Sequence, residues 1–331
     1  MDGKTILVTG GTGSFGRKFT ETVLKNYKPK KLIIFSRDEF KQYEMGKIFP
    51  ESRYPVRYFI GDIRDRGRLN RAFEGVDYVV HAAALKQVPA LEYNPMEAVK
   101  TNVLGADNIV DAAIDTGVKK VVALSTDKAV NPANLYGATK LVAEKTFIAA
   151  NAYGGGRVKF SAVRYGNVVG SRGSVIPFFV NLKKEGCREY PITDERMTRF
   201  WITLEQGVDL VLKALHESVG GEIFIPKIPS MRVVDLAKAL EPDCVLKNIG
   251  IRPGEKIHES LISEDEARKA LEFERHFIVL PQFMSAEDIF AKFKGGKALP
   301  EGFIYRSDLN KDWLNVEHLR TMVRHWKDLD A

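Results

Sequence analysis

The chain has 331 residues, 44% of them hydrophobic and 28% charged, with a formal net charge of +7. That length accommodates one large domain or two joined ones, and the balance is that of a globular chain with a sizeable core. A basic balance fits nucleic acid, an anionic surface or an anionic small substrate; without a basic block interleaved with aromatics, nucleic acid is the weakest of the three, and most lysines read as ordinary solvated charges.

Cys187 and Cys244 lie far apart, with neither metal-ligand nor disulfide-framework spacing, which points to a reducing compartment. The N-terminus enters a strand-like run without a charged-then-apolar leader, and no stretch approaches the roughly 18 apolar residues of a membrane span. The expectation is a cytoplasmic protein that binds neither membrane nor metal.

In chain order, "KTILVT" (4–9) is the first strand, followed by a glycine turn and a helical pattern. "KKLIIFS" (30–36), "VRYFIGD" (56–62), "VDYVVHAAA" (76–84) and "KKVVALS" (119–125) are further short apolar runs. Amphipathic segments lie between them, among them "RDRGRLNRAFEG" (64–75) and "PMEAVKTNVLGADNIVDAAIDTG" (95–117). Alternating strands and helices predict an α/β fold with a doubly wound parallel sheet, and strands apolar throughout predict a sheet covered on both faces. After about residue 170 the rhythm changes to the Pro- and Gly-rich "SRGSVIPFF", "CREYPITD" and "EIFIPKIPSM". The expected division is 1–170, a dinucleotide-binding domain carrying the catalytic residues, and 171–331, mainly a smaller substrate lobe and tail, with some chain returning to the first domain. The tail, 284–331, reads as a cap or an oligomer contact.

"TGGTGSFG" (9–16) follows the first strand and opens the first helix, with Gly10, Gly13 and Gly16 in G-x-x-G-x-x-G spacing. Glycines let the backbone approach a pyrophosphate, whose charge the helix N-terminus stabilises. The second strand ends "FSRDE" (35–39). Ser36 and Arg37 precede the acid Asp38, and a guanidinium there pairs with a 2′-phosphate, favouring NADP. The alternative has Arg37 solvated while Asp38 grips the ribose. Asp62 either accepts from the adenine amine or caps the next helix.

"ALSTDKAVNPANLYGATK" (123–140) holds Tyr136 and Lys140 four apart, on one helix face, after a break at Asn131-Pro132. A phenol near pKa ~10 is a poor base at neutral pH, and a neighbouring ammonium favours its ionised form. Tyr136 therefore reads as the base for a hydroxyl proton, with Lys140 also reaching a nicotinamide ribose. Ten residues earlier stand Thr126, Asp127 and Lys128, and a plain alcohol dehydrogenase needs neither the carboxylate nor the second amine. Structurally bland readings exist: Asp127 caps the following turn and Lys128 is solvated.

"GGTGSFG", "FSRDE", "HAAALK", "LSTDKAVNPANLYGATK", "RYGNVVGSRGSVIPFF", "ITDERMTRFWIT", "GGEIFIPKIPSM" and "IRPGEK" together resemble the extended short-chain dehydrogenase/reductase superfamily over nearly the full length. More narrowly, the chain resembles the inverting UDP-N-acetylglucosamine 4,6-dehydratases of pseudaminic acid biosynthesis, a route associated with flagellin glycosylation. The resemblance implies NADP held by Gly10, Thr12, Gly13, Ser14, Phe15, Gly16, Ser36, Arg37, Asp38, Asp62, Ile63, Ala82, Ala83, Ala84, Lys86, Tyr136 and Lys140. It implies catalysis by Thr126, Asp127, Lys128, Tyr136 and Lys140: C4 oxidation through Tyr136, C5 deprotonation by a neutral Lys128, and departure of the C6 hydroxyl assisted by a protonated Asp127. It places Lys86, Asn167, Arg199, Arg252, Glu255 and Lys256 against UDP-N-acetylglucosamine, and it implies a homo-oligomer, dimer or hexamer. A C5-retaining dehydratase, an epimerase, and a non-catalytic NADP-binding regulator are the rival readings.

Overall fold

The structure, a computed structural model, describes residues 1–170, 175–281 and 292–329. Part of "SRGSVIPFF" (171–174) and part of the tail (282–291, 330–331) lie outside the described residues.

In the first half, β1 (Thr5–Thr9), α1 (Ser14–Asn26), β2 (Lys31–Ser36), α2 (Glu39–Ile48), β3 (Val56–Ile60), α3 (Arg66–Phe73) and β4 (Tyr78–His81) alternate as their apolar periodicities require. The segment expected as one helix over 95–117 is divided. After α4 (Val88–Tyr93) come α5 (Pro95–Ala98), a π-helical turn (Val99–Leu104) and α6 (Gly105–Thr116). The insertion accommodates Asn102, a buried amide whose Oδ1 accepts from Leu85 N (2.8 Å) and whose Nδ2 donates to Leu85 O (2.9 Å) and to Thr139 Oγ1 (3.1 Å). One side chain thus ties the loop after β4 to the helix that carries Tyr136.

β5 (Lys120–Thr126), α7 (Leu135–Tyr153) and β6 (Lys159–Tyr165) follow. The second half contributes β7 (Asn167–Val168), α8 (Val175–Lys184), β8 (Glu189–Ile192), β9 (Thr198–Ile202), α9 (Leu204–Glu217), β10 (Ile223–Pro226), β11 (Ser230–Arg232), α10 (Val233–Leu240) and β12 (Val245–Asn248). Then come β13 (Ser260–Ile262), α11 (Glu264–Ala267), β14 (Ala270–Glu272), β15 (His276–Val279), β16 (Lys297–Ala298), β17 (Tyr305–Arg306) and a last helix, Val316–Leu329.

A ten-stranded sheet in the order β16-β14-β15-β10-β6-β5-β4-β1-β2-β3 forms the centre. From β3 to β10 neighbouring strands run parallel, and β15, β14 and β16 add an antiparallel edge. This is the doubly wound sheet that the sequence predicts, with 3-2-1-4-5-6 at its heart. Every residue of β1 is buried, which is why "TILVT" lacks apolar–polar alternation. One core lies on each face: Phe19, Val23, Val208 and Val211 contribute to one, Leu69, Phe73, Ile109 and Phe147 to the other.

The second half returns to this sheet through β10, β14, β15 and β16 and covers it with α9, and much of the rest builds a lobe with its own core of Ile176, Phe179, Tyr190, Trp201, Met231, Leu236 and Leu319. Leu319 and Val323 place the last helix on that core, so this part of the tail caps the lobe.

A fully buried guanidinium ties α7, the central sheet and the β13–α11 segment together. Arg164 on β6 bonds Glu144 of α7 through Nε (3.2 Å), Glu266 of α11 through both terminal nitrogens (2.9 Å each) and Leu261 O (2.9 Å). Each charge is paired, which is the condition under which buried ions are tolerated. Arg164→Met should leave the buried Glu144 and the partly buried Glu266 without their counter-ion and cost about 3–5 kcal/mol. Urea denaturation of the variant checks this; a loss below about 1 kcal/mol would show the triad to be dispensable.

Candidate active site

The C-terminal ends of the parallel strands frame a cavity of about 740 Å³. The loop after β1 forms its floor. Gly10 adopts φ +65°, and a Cβ there would lie 2.9 Å from the Ala83 backbone, so only glycine allows the two loops to approach. Thr9 Oγ1 accepts from Ala83 N (3.3 Å) and pairs with the buried His81 (2.9 Å), whose imidazole burial brings down to about 3 and so keeps neutral. Helix α1 begins at Ser14 with no side-chain cap and no acidic residue in its first turn. Its N–H groups and dipole are therefore available to an anion.

Gly10, Thr12, Gly13, Ser14 and Phe15 line the cavity, with Ser36, Arg37, Asp38, Asp62, Ile63, Ala82, Ala83, Ala84 and Lys86. Gly16 lies behind the loop, buried in the first helical turn. Asp38 caps α2, accepting from Lys41 N at 2.9 Å, while Arg37 is half exposed and pairs with Asp62 at 3.4 Å. Asp62 does not cap α3, because Asp65 does, accepting from Arg68 N. It holds Arg64 (2.7 Å) and Arg37 instead, with Arg37 a half-exposed fork at the cavity edge.

Thr126, Lys128, Tyr136, Lys140 and Asn167 line the inner end. β5 ends at Thr126, and Asp127–Ala129 forms one 3₁₀ turn. The break before α7 falls where the sequence places it: Asn131 takes φ +45°, and Asn134 caps the helix by accepting from Gly137 N (2.8 Å). Gly137 matters more than its neighbours. A Cβ there would lie 2.1 Å from the Lys128 carbonyl oxygen, so glycine alone lets α7 press against the turn and bring Tyr136 to Thr126 and Lys128.

Burial raises the Tyr136 pKa, Lys128 counters it, Asp127 adds to it and the Thr126 hydroxyl bond lowers it. The ammonium that assists the phenol is thus Lys128, where the i, i+4 spacing pointed to Lys140. Lys140 is itself brought down to about 8 by burial, against the pull of Glu144 one turn further on.

Asp127 is fully buried; its Oδ1 accepts from Thr126 Oγ1 (2.9 Å) and from Lys128 Nζ (3.1 Å), while Oδ2 has no partner. Burial pushes its carboxyl up, with Lys128 opposing and Glu259 adding. Burial also works against the Lys128 ammonium, but Asp127 and Glu259 outweigh it and hold Lys128 above the ordinary lysine range. Lys128, a base only when neutral, is therefore a paired ammonium in this structure. Burial lowers the neighbouring Lys86, and Lys128 lowers it further.

Of the other expected substrate residues, Arg199 and Lys256 lie behind Lys128, around Glu259. Arg199 is mostly buried and donates to Thr198 O (2.7 Å), Ile257 O (3.0 Å) and Lys256 O (3.0 Å). Lys256 donates to Val130 O (2.6 Å), and Asn134 Nδ2 to Gly254 O (2.8 Å), so "IRPGEK" closes on the start of α7. Arg252 is exposed beside Glu255, 4.0 Å away. None of these four lines the cavity as described. Sequence reasoning missed Asn102, Glu144 and Glu259. Their signals are a polar residue inside an apolar helical face, a carboxylate one turn beyond Lys140, and an acid three residues after Lys256. Among the described residues no cluster of His, Cys, Asp and Glu could hold a metal ion, and no helix is long and apolar enough to cross a membrane.

Comparison with known proteins agrees with this geometry. Residues 6–281 match the family described as polysaccharide biosynthesis protein. An inverting UDP-N-acetylglucosamine 4,6-dehydratase of Campylobacter jejuni is 53% identical, over 98% of each chain. A UDP-glucose 4-epimerase of Rickettsia massiliae is 44% identical, over 97% of this chain and 95% of that one. The X-ray structure of Pen from Bacillus thuringiensis superposes with a TM-score of 0.90 at 38% identity, covering 98% of both chains. The chain belongs to the polysaccharide biosynthesis protein family and, within it, to the inverting 4,6-dehydratases with which it shares more than half its residues.

Gly137→Ala should separate α7 from the turn. Turnover should fall about 10²-fold, as it does when reacting groups are displaced by about 1 Å, while binding at the glycine loop persists. Steady-state kinetics with a parallel dinucleotide titration read both; unchanged turnover would show that the close approach is not needed.

Proposed function

We propose that the chain dehydrates UDP-N-acetylglucosamine at C4 and C6 with inversion at C5, giving UDP-2-acetamido-2,6-dideoxy-β-L-arabino-hex-4-ulose, and that it uses NADP. The observation that carries this is the Asp127–Lys128 pair, 3.1 Å apart beside Tyr136. An epimerase needs only hydride removal and return at C4 and has no use for an acid and a base at C5 and C6. A regulator needs no Tyr136–Lys140 pair.

Gly10, Thr12, Gly13 and the uncapped start of α1 would hold NADP, which would supply a hydride acceptor for C4 and a hydride donor for C6. Tyr136 takes the C4 hydroxyl proton, and the resulting ketone acidifies C5–H. Lys128 must be neutral to take that proton, and its 3.1 Å hydrogen bond to Asp127 supports a route: moving a proton from Lys128 to Asp127 makes the amine a base and the carboxyl an acid in one step. Asp127 then donates to the C6 hydroxyl, which leaves as water. Reprotonation of C5 from the opposite face gives the inverted centre. Asn167, whose Oδ1 is buried without a partner at the cavity wall, supports a role in binding the sugar nucleotide.

We assign residues 1–170 to the cofactor domain and 171–331 mainly to substrate binding, with a cytoplasmic setting consistent with the free Cys187 and Cys244. Exposed Tyr93, Met96 and Val142 on the outer helices support a homo-oligomer, dimer or hexamer. The product is the expected first intermediate toward pseudaminic acid and flagellin glycosylation.

Lys128→Ala should bind cofactor and substrate yet lose about 10²–10⁴-fold in turnover, the usual worth of general-base catalysis. NMR of the wild-type product formed in D₂O should show deuterium at C5 and the L-arabino configuration; a D-xylo product would mean that C5 is retained. Arg37→Ala should weaken NADP more than NAD in binding titrations, and equal losses would remove Arg37 from 2′-phosphate recognition.

A further inference from the structure

Glu259 precedes β13 and is 3% exposed. Its backbone is clamped: Glu259 N donates to Ser307 Oγ (3.0 Å) and Ser307 N donates to Glu259 O (2.8 Å). Ser307 Oγ in turn pairs with Thr198 Oγ1 at 2.7 Å. This fixed carboxylate faces Lys128 at 3.5 Å, Lys256 at 3.7 Å and Arg199 at 3.9 Å, and its Oε2 has no hydrogen-bond partner. Simple neutralisation of Arg199 does not account for it, because that contact is the longest and the guanidinium already has three carbonyls.

The elimination creates a need that Glu259 meets. Once Lys128 has taken the C5 proton it is an ammonium again, while Asp127 still holds the proton bound for the C6 hydroxyl. Asp127 cannot be proton donor and counter-ion at the same moment. We propose that Glu259 is a positioning residue for Lys128, the counter-ion that neutralises the ammonium while Asp127 carries its proton. This rests on Lys128 being the C5 base.

The neighbouring charges fit the division. Lys128 faces Asp127 on its own turn, Lys86 on the loop after β4, Tyr136 on α7, Arg199 on β9, and Lys256 with Glu259 before β13. Burial pushes both carboxyls up. At Glu259 the three cations outweigh burial and lower it, whereas Asp127 stays raised. Two carboxylates around one amine thus separate into one that remains an anion and one that takes a proton.

The test is Glu259→Gln, with Glu259→Asp as the charge-preserving control. In Glu259→Gln the Lys128 titration midpoint, read by side-chain NMR of the substrate-free protein, should fall by about one pH unit or more, since a counter-charge at this range is removed. Because Glu259 raises both Lys128 and Asp127, the kcat–pH profile should move as a whole to lower pH. Turnover of UDP-N-acetylglucosamine should drop about 10–100-fold with KM within twofold, and reduced cofactor should accumulate because C4 oxidation is spared. Glu259→Asp should restore the profile. An unmoved Lys128 midpoint or profile overturns the proposal, as does a folding defect in both variants, which would make Glu259 a residue of the fold alone. Failure of the wild type to turn over this substrate would strike the proposed reaction, and the Lys128 titration would still judge Glu259.

Discussion

The approach of α7 to the turn after β5 is the contact on which the site depends. It brings a phenol, a carboxylate and two amines, from segments ten residues apart, to the same end of the sheet. Gly137 permits the contact, the Asn134 cap starts the helix at the right residue, and Asn102 holds the outer loop against its far side. Behind the helix, Arg164 fixes Glu144, which stands one turn beyond Lys140. Gly137 and Glu144 share one face of α7 and Thr139, which Asn102 holds, lies on another, so the position of the helix is determined from more than one direction.

The electrostatics follow from that placement. Gathering Asp127, Lys128, Glu259, Arg199 and Lys256 away from water is costly for any member taken singly. Together they leave Asp127 the carboxyl most ready to accept a proton and Lys128 the amine whose proton lies nearest to it. A site that must act as base and acid within one turnover gains from a cluster in which one proton, moved a single hydrogen-bond length, makes both.

The parts legible in the sequence were those whose physics is local. "TILVT" and the other apolar runs announced a sheet covered on both faces, and "TGGTGSFG" announced an open helix N-terminus because strand, glycines and helix are contiguous. Tyr136 and Lys140 share a face by helical period alone. The π-helical turn escaped because its cause, Asn102 reaching Leu85 and Thr139, is tertiary. For Arg199 and Lys256, expected against the sugar nucleotide, the sequence carries no record of the partners the fold gives them, the carbonyls of Thr198, Ile257, Lys256 and Val130. Glu259 was silent for the same reason, since its neighbours come from distant segments.

The return of the second half to the central sheet has a consequence for how the chain is made. β6, buried in the finished molecule, ends at Tyr165, and its parallel neighbour β10 ends only at Pro226. At synthesis rates of about 5–20 residues per second, that interval leaves β6 an unpaired edge for several seconds on the ribosome. The first half is therefore a nascent sheet with an open seam, and it stays open while the first elements of the lobe, α8, β8 and β9, are made.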